Sequence, residues 1–380
     1  MSRPLLLRAS RLGTLTAVAV VVPLAACSGG GDVAGSGEIA ITATEAECTP
    51  SATEVDAGVT HFRVTNKGRQ ATELYVLRPD GSIVTERENI APGIVAQVTA
   101  ELTAGEYSLR CRADDSSDGV TTAFTVKGQA TAQGDPRLTE AVASYRTYVE
   151  KQSHESLELA KQLRDAVKAG DVARARSLYA PSRVGWESIE PVAESFGDLD
   201  PRVDLREADL EAGQTWTGWH VLEKALWQGN TTEGMGPVAD RLIVDLEELV
   251  SRVRKVEVTP TSMANGAKEL LDEVATGKIT GEEEAFSHTD FVDMQANVDG
   301  AREVYRLLLP VVKEKDPALV TRVDAGFARV DAALQGLRTG TGAADFKPYT
   351  VLDDSGRKTL ADDVNALAEP LSGLAGAVVK

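Results

Sequence analysis

Histidine is nearly missing from this chain: His61, His154, His220 and His288 are the whole supply among 380 residues. A histidine-rich metal store is excluded, and any imidazole chemistry must run through one or two of these four. Cysteine is as scarce, with three residues, which excludes a disulfide-dense scaffold and cysteine-clustered metal modules. Aromatic residues make up only 5%, and all four tryptophans crowd between positions 186 and 227. Basic residues are outnumbered, 40 Lys and Arg against 58 Asp and Glu, for a net charge of −18. Phosphate neutralisation needs a basic face, so the chain is no nucleic-acid binder. Long apolar runs are lacking except at the extreme N-terminus, so a polytopic transporter is excluded. A Gly-x-Ser-x-Gly elbow, a phosphate loop and a dinucleotide fingerprint are all absent. What is left is an ordinary globular composition, 42% hydrophobic and 26% charged, at a length that suggests about two domains.

The first segment reads as an address. Arg3, Arg8 and Arg11 precede an apolar run over 12–26, and Leu24-Ala25-Ala26-Cys27 matches the lipobox ahead of a lipidated cysteine. This predicts a lipoprotein signal peptide over 1–26, acylation at Cys27, and a Gly/Ser-rich flexible tether over 27–37. Removing three arginines and no acids takes the formal charge from −18 to −21. The protein is expected outside the cytoplasm, in the periplasm or at the cell surface, anchored to the membrane by lipid. There disulfides persist. Two readings of Cys48 and Cys111 therefore stand: a disulfide, or thiolate ligands of a soft or borderline metal.

The periodicity then changes once. Over 38–127, short alternating runs such as Glu38-Ile-Ala-Ile-Thr-Ala and Val59-Thr-His-Phe-Arg-Val-Thr are separated by turn signals at Asn66-Lys67-Gly68, Pro79-Asp80-Gly81 and Ala91-Pro92-Gly93. That texture predicts an all-β Greek-key sandwich. A polar linker over 128–135 follows. From 136 to 380 the apolar spacing is helical, with helices expected over 136–169, through 178–192, over 216–227, 238–256, 262–275, 291–312, 319–337 and 358–379. This second part is an all-α bundle, compatible with two four-helix halves.

Chemistry concentrates on one predicted helix. In Gly218-Trp219-His220-Val221-Leu222-Glu223, the i, i+3 spacing puts an imidazole and a carboxylate on one face, able to grip one ion. Bundles hold iron and manganese with the related Glu-x-x-His arrangement. A zinc protease motif would need a second histidine where Lys224 stands, so peptidase chemistry lacks its ligand. Glu187, Glu190 and Glu194 line one face of the preceding helix, an arrangement that is usually just solvated. Of these, Glu187 is best placed to meet His220 and Glu223. Asp198, Asp200, Asp204 and Asp209 follow in an acidic connector. Such an oxygen-rich set with one imidazole suits iron or manganese. Asp204, Asp209 and His288 are second-tier ligands, on segments able to fold over the opening. His154, four residues after Glu150, reads as half of a solvated pair, and His61 as a strand-face residue.

These residues carry a resemblance. The helical part resembles the imelysin-like domain, whose Gly-x-His-x-x-Glu motif is matched by Gly218, His220 and Glu223. The segments over 179–200, Glu223-Lys-Ala-Leu-Trp227 and 287–301 are similar to the EfeO branch of that family, and the β part resembles the cupredoxin domain that precedes it there. The likeness covers essentially the whole mature chain. It implies an iron-binding lipoprotein that works with a membrane iron permease and a haem peroxidase and delivers iron to the permease. The alternative is a metal-dependent enzyme, a ferroxidase-like oxidant or a hydrolase. The β part departs from blue-copper proteins: Glu73 stands where the first histidine belongs, and no His or Met follows Cys111 up to Val126. The resemblance instead implies Cys48, Glu73 and Cys111 as a copper or second iron site when reduced, or a Cys48–Cys111 disulfide when oxidised.

Overall fold

The computed structural model describes residues 37–113, 119–129, 135–210 and 212–380. The expected signal peptide, Cys27 and the tether as far as residue 36 lie outside the described residues, as do 130–134 of the linker. No described helix is long and apolar enough to cross a membrane.

Nine strands form two sheets: β1 (Gly37–Thr44), β2 (Glu47–Pro50), β3 (Glu54–Asp56), β4 (Gly58–Asn66), β5 (Thr72–Leu77), β6 (Ile83–Ile90), β7 (Val95–Leu102), β8 (Gly105–Ala113) and β9 (Val120–Lys127). One sheet runs β2-β1-β4-β7 and the other β3-β9-β8-β5-β6. Two-residue alternation decides which side chains meet: Ile39, Ile41, Phe62, Val64, Val98, Leu109 and Phe124 face the space between the sheets. Cys48 on β2 and Cys111 on β8 are joined in a disulfide that ties one sheet to the other.

The rest is helical: α1 (Pro136–Lys168), α2 (Val172–Glu187), α3 (Glu190–Glu194), α4 (Asp200–Val203), α5 (Trp219–Trp227), α6 (Gly236–Val253), α7 (Pro260–Thr276), α8 (Asp290–Lys315), α9 (Pro317–Gln335), α10 (Asp354–Leu371) and α11 (Leu374–Val379). Helix starts follow local chemistry. The side chains of Asp135, Asp171, Thr259, Asp316 and Asp353 each accept a backbone N–H of the first turn that would otherwise lack a partner. More helices form than the periodicity predicts because two long expected helices break, at 188–189 and 372–373, and a short α4 forms in the acidic connector. The helix expected from Trp216 begins only at Trp219, since Gly218 adopts φ 90°. A Cβ at Gly218 would collide with the carbonyl of Val203, so only glycine brings the start of α5 this close to the end of α4.

Helix α7 lies against β6 and β7 of the sandwich. Polar contacts pin that junction. Asn265 Nδ2 donates to Thr85 Oγ1 at 2.8 Å and to the Thr99 carbonyl at 3.0 Å. Glu101 N–H donates to Thr261 Oγ1 at 3.0 Å.

Candidate metal centre

Behind Gly218, helix α5 turns His220 and Glu223 inward, where both are buried. Glu223 Oε1 accepts the backbone N–H groups of Phe286 and Ser287 at 2.9 and 2.7 Å. That grip holds the loop between α7 and α8 against α5 and brings Glu283 and Glu284 to the imidazole. His220 Nδ1 lies 3.2 Å from Glu223 Oε2. His220 Nε2 lies 3.2 Å from Asp204 Oδ1 and 3.7 Å from Glu283 Oε1. The 3.2 Å contact lacks hydrogen-bond direction, so this buried Nε2 has no hydrogen-bond partner. A buried nitrogen in that state is aimed at two carboxylates without being spent on either.

Three groups of ligand atoms gather within 4.8 Å among the described residues: Asp204, His220 and Glu283; His220, Glu223 and Glu284; and Glu187, Glu190 and Asp204. The first uses Nε2 and leaves Nδ1 to be oriented by Glu223, the carboxylate–imidazole pairing that fixes metal-bound histidines elsewhere. Oxygen-rich with one imidazole, the set fits iron or manganese.

Two buried cations compensate this acidity. Arg183 of α2 is fully buried and forms ion pairs with Asp204, with Glu187 at 2.5 Å, Glu284 at 2.7 Å, Glu283 at 3.0 Å and Asp293 at 3.4 Å. Lys278, also fully buried, binds Glu187 at 2.6 Å, Glu190 at 2.8 Å and Glu273 at 3.2 Å. Charge separation sorts the carboxylates. Burial works against ionisation of Asp204, but Arg183 and His220 hold its pKa well below the usual range. Glu283 is likewise brought down to about 2, burial being outweighed by Lys278 and His220. Glu284 and Asp293 are raised by burial despite Arg183, and Asp290 is pushed up to about 7, again by burial first. For His220, burial disfavours the charged ring, yet the negative charge of the neighbouring Asp204, Glu223 and Glu283 wins and raises it well above 6.5.

Of the residues singled out from the sequence, His220, Glu223 and Asp204 come together. Glu187, expected beside His220 and Glu223, lies in the adjoining group with Glu190 and Asp204, and Glu190 is buried with it rather than solvated. Asp209 is exposed and paired with Arg206 at 2.6 Å, away from the imidazole. His288, at φ 57°, joins none of the three groups. His154 meets Arg254 at the surface, and His61 Nδ1 bonds Thr99 Oγ1 across the sheet at 2.9 Å. Glu283, Glu284, Arg183 and Lys278 escaped sequence reading. Gly281-Glu-Glu-Glu-Ala285 is a polar loop without periodicity, and its only signal is the run of three acids beside Phe286.

The β site implied by the resemblance does not converge. Cys111 pairs across the sheet with Leu74, while Glu73 pairs with Arg112. Neighbouring strand residues point to opposite faces, so Cys111 faces the core and Glu73 the outer face. Glu73 Oε2 accepts from Arg112 Nε at 2.8 Å and from the Tyr75 hydroxyl at 2.7 Å.

Comparison with known proteins agrees with this architecture. The family model described as imelysin matches residues 141–374, and that of the cupredoxin-like domain matches residues 16–123. The chain is 41% identical over 347 residues to the iron uptake system component EfeO of Escherichia coli O157:H7, covering 89% of this chain and 91% of that one. It is 40% identical, with the same coverage, to the proteins of that name from Escherichia coli K12 and Shigella flexneri. In shape it resembles a crystal structure of an iron-regulated protein A precursor from Parabacteroides distasonis, with a TM-score of 0.50 and 15% identity. That likeness covers 65% of this chain and 97% of the other and concerns the fold alone.

Proposed function

The chain belongs to the imelysin family, in its EfeO-type branch of iron uptake components that carry a cupredoxin-like domain, and from that premise we propose that it captures iron outside the cytoplasm and delivers it to a membrane iron permease. The observation that carries this reading is the buried His220 Nε2, which has no hydrogen-bond partner and is set between Asp204 and Glu283. One imidazole and two carboxylates leave coordination positions open, which suits capture and release better than a closed structural site. Arg183 and Lys278 support the same reading, since internal cations balance the carboxylates whenever the cargo is gone and so lower the cost of giving it up. Anchoring through Cys27 would keep the carrier beside the permease, and a haem peroxidase of the same system would be its second partner. The carrier is read as a non-enzyme. Lys224, where a peptidase needs its second histidine, points instead to Glu207 in an ion pair.

The test is calorimetric titration of the full chain with iron. His220→Ala and Glu223→Ala are each expected to weaken binding at least tenfold, about 1.4 kcal/mol, with circular dichroism unchanged. The reading fails if both folded variants bind as tightly as the parent. Turnover assays for iron oxidation and peptide hydrolysis separate carrier from enzyme, and turnover lost in His220→Ala would favour the enzyme.

A further inference from the structure

A second group of acids lies outside the His220 centre, where β6 meets α7. Glu86 of β6 is only 8% exposed, yet its carboxylate has no hydrogen bond and no ion pair among the described residues. It lines a cavity of about 50 Å³ between the sandwich and the helices, together with Glu269, Asn265 and Thr85. By the measure in which one water needs roughly 10–15 Å³, that space takes an ion with part of its hydration shell. The carboxylate of Glu269, across the junction on α7, also has neither a hydrogen bond nor an ion pair among the described residues. Asn265 spends its Nδ2 on Thr85 and Thr99 and leaves Oδ1 without a donor there.

The nearby cations are engaged elsewhere. Arg112 is bound to Glu73 at 2.8 Å, Arg87 reaches Asp272 at 3.4 Å, and Lys268 is paired with the same Asp272. Glu88, two residues on, adds a further carboxylate, whose Oε1 accepts from the Tyr75 hydroxyl at 3.3 Å. Arg87 offsets Glu269 and Arg112 offsets Glu86 only in part, and carboxylates gathered in a medium that screens poorly repel each other. Burial first and then repulsion from Glu269 push Glu86 far above the ordinary carboxylate range, and burial first and then Glu88 push Glu269 up to about 8. Such a pair is relieved either by a shared proton or by a cation between the two groups. The unspent amide oxygen of Asn265 tips the balance, because a shared proton has no use for it and a hard cation does.

We propose that the junction of the sandwich and the helical region is a second cation site, with Glu86 and Glu269 as its charged ligands and Asn265 as a neutral oxygen ligand. Carboxylate, amide and water oxygens without imidazole or sulfur select a hard cation such as Mn²⁺ or Ca²⁺. Four or more acids and an imidazole crowd the His220 centre, whereas no three His, Cys, Asp or Glu ligand atoms gather within 4.8 Å at the junction among the described residues. Two carboxylates completed by an amide oxygen and water account for that difference. A cation held there would clamp the sandwich to α7.

Mn²⁺ titrated into the full chain near neutral pH, with bound metal counted by electron paramagnetic resonance, tests this. The parent is expected to bind one equivalent more than Glu86→Gln/Glu269→Gln, and His220→Ala is expected to keep that junction equivalent. Mn²⁺ should also raise the thermal midpoint of the parent and of His220→Ala but not that of the double variant. If the double variant misfolds, Glu269→Gln on the half-buried partner should still weaken the junction equivalent at least tenfold. Unchanged stoichiometry in the folded double variant overturns the proposal and leaves the pair sharing a proton. Failure of the His220 centre would show separately, as a total stoichiometry that His220→Ala leaves unchanged.

Discussion

Arg183 is the residue on which the metal centre turns. Its guanidinium sits among five carboxylates, fully out of water, and lies 5.5 Å from the Trp219 ring centroid. Removing one partner of a buried ion pair strands the others, at a cost of roughly 3–5 kcal/mol. Arg183→Met is therefore expected to destabilise the metal-free protein by about that amount in urea denaturation. Added iron should narrow the gap, because a bound cation takes over the compensating role. A gap that does not change with iron would mean that Arg183 and the metal answer to different carboxylates. His220 contributes a pH dependence. With its pKa raised by Asp204, Glu223 and Glu283 against the effect of burial, the ring holds its proton more tightly than a free imidazole and must shed it to coordinate. Apparent iron affinity should rise with pH through that raised pKa, with release of about one proton per iron from the imidazole. Calorimetry in buffers of different ionisation heat reads this directly, and heats independent of buffer would rule the imidazole out as a ligand.

Elements differ in what holds them. The sandwich is stapled by Cys48–Cys111, which closes a stretch with a sequence separation of 63. In the chain-entropy picture a loop of that size stabilises by roughly 4 kcal/mol, so Cys48→Ser/Cys111→Ser should lower the sandwich's stability by an amount of that order. Because the cysteines are joined and Glu73 faces the other way, copper-loaded protein is expected to lack the intense blue thiolate-to-copper band. Its appearance, with loss in Cys111→Ser, would restore a copper centre to the β part. Helix α5 depends on one glycine. At φ 90° and with Val203 in the way, Gly218→Ala combines backbone strain of order 1–3 kcal/mol with a clash. Its expected result is weaker iron binding through a displaced His220, even where overall helicity is kept. The Gly-x-His-x-x-Glu motif thus has two parts: the glycine sets the angle of the helix, and the other two residues supply chemistry.

At the scale of the molecule, buried carboxylates make stability a function of pH. Asp200 is raised to about 8, Asp290 to about 7, Glu88 to about 7 and Glu269 to about 8, with burial the leading cause in each case. In the unfolded chain these groups titrate near 4. A raised acid contributes fully below the unfolded value, and its contribution is lost as pH climbs through the folded one. The depressed acids, Asp204 and Glu283, act with the opposite sign, but only in the acid range below about 4.5. The metal-free full chain should therefore unfold at a lower temperature at pH 8.5 than at pH 5.5, and bound cation should shrink the difference. A midpoint that is flat or rises over that window would mean the buried acids are compensated by groups other than Arg183 and Lys278.

Local and periodic features were legible without coordinates. Alternation in the first part and apolar spacing of three and four in the second follow from backbone geometry alone, so the change from strands to helices after residue 127 could be read directly. So could the helix starts at Asp135 and Asp171, because a capping side chain acts within three residues of itself. His220 and Glu223 share a face for the same reason. What lies across from that face could not be read. Glu283 and Glu284 reach the imidazole from a loop sixty residues away, held by two backbone N–H groups that carry no side-chain signature. Glu190 read as solvated because a carboxylate row looks the same whether water or a buried lysine meets it, and Lys278 is nearly a hundred residues distant. Glu73 and Cys111 lay within reach on paper, and only strand register put them on opposite faces. Sequence carried what depends on neighbours along the chain; long-range packing decided which charges meet, because burial makes compensation compulsory without naming the partner in advance.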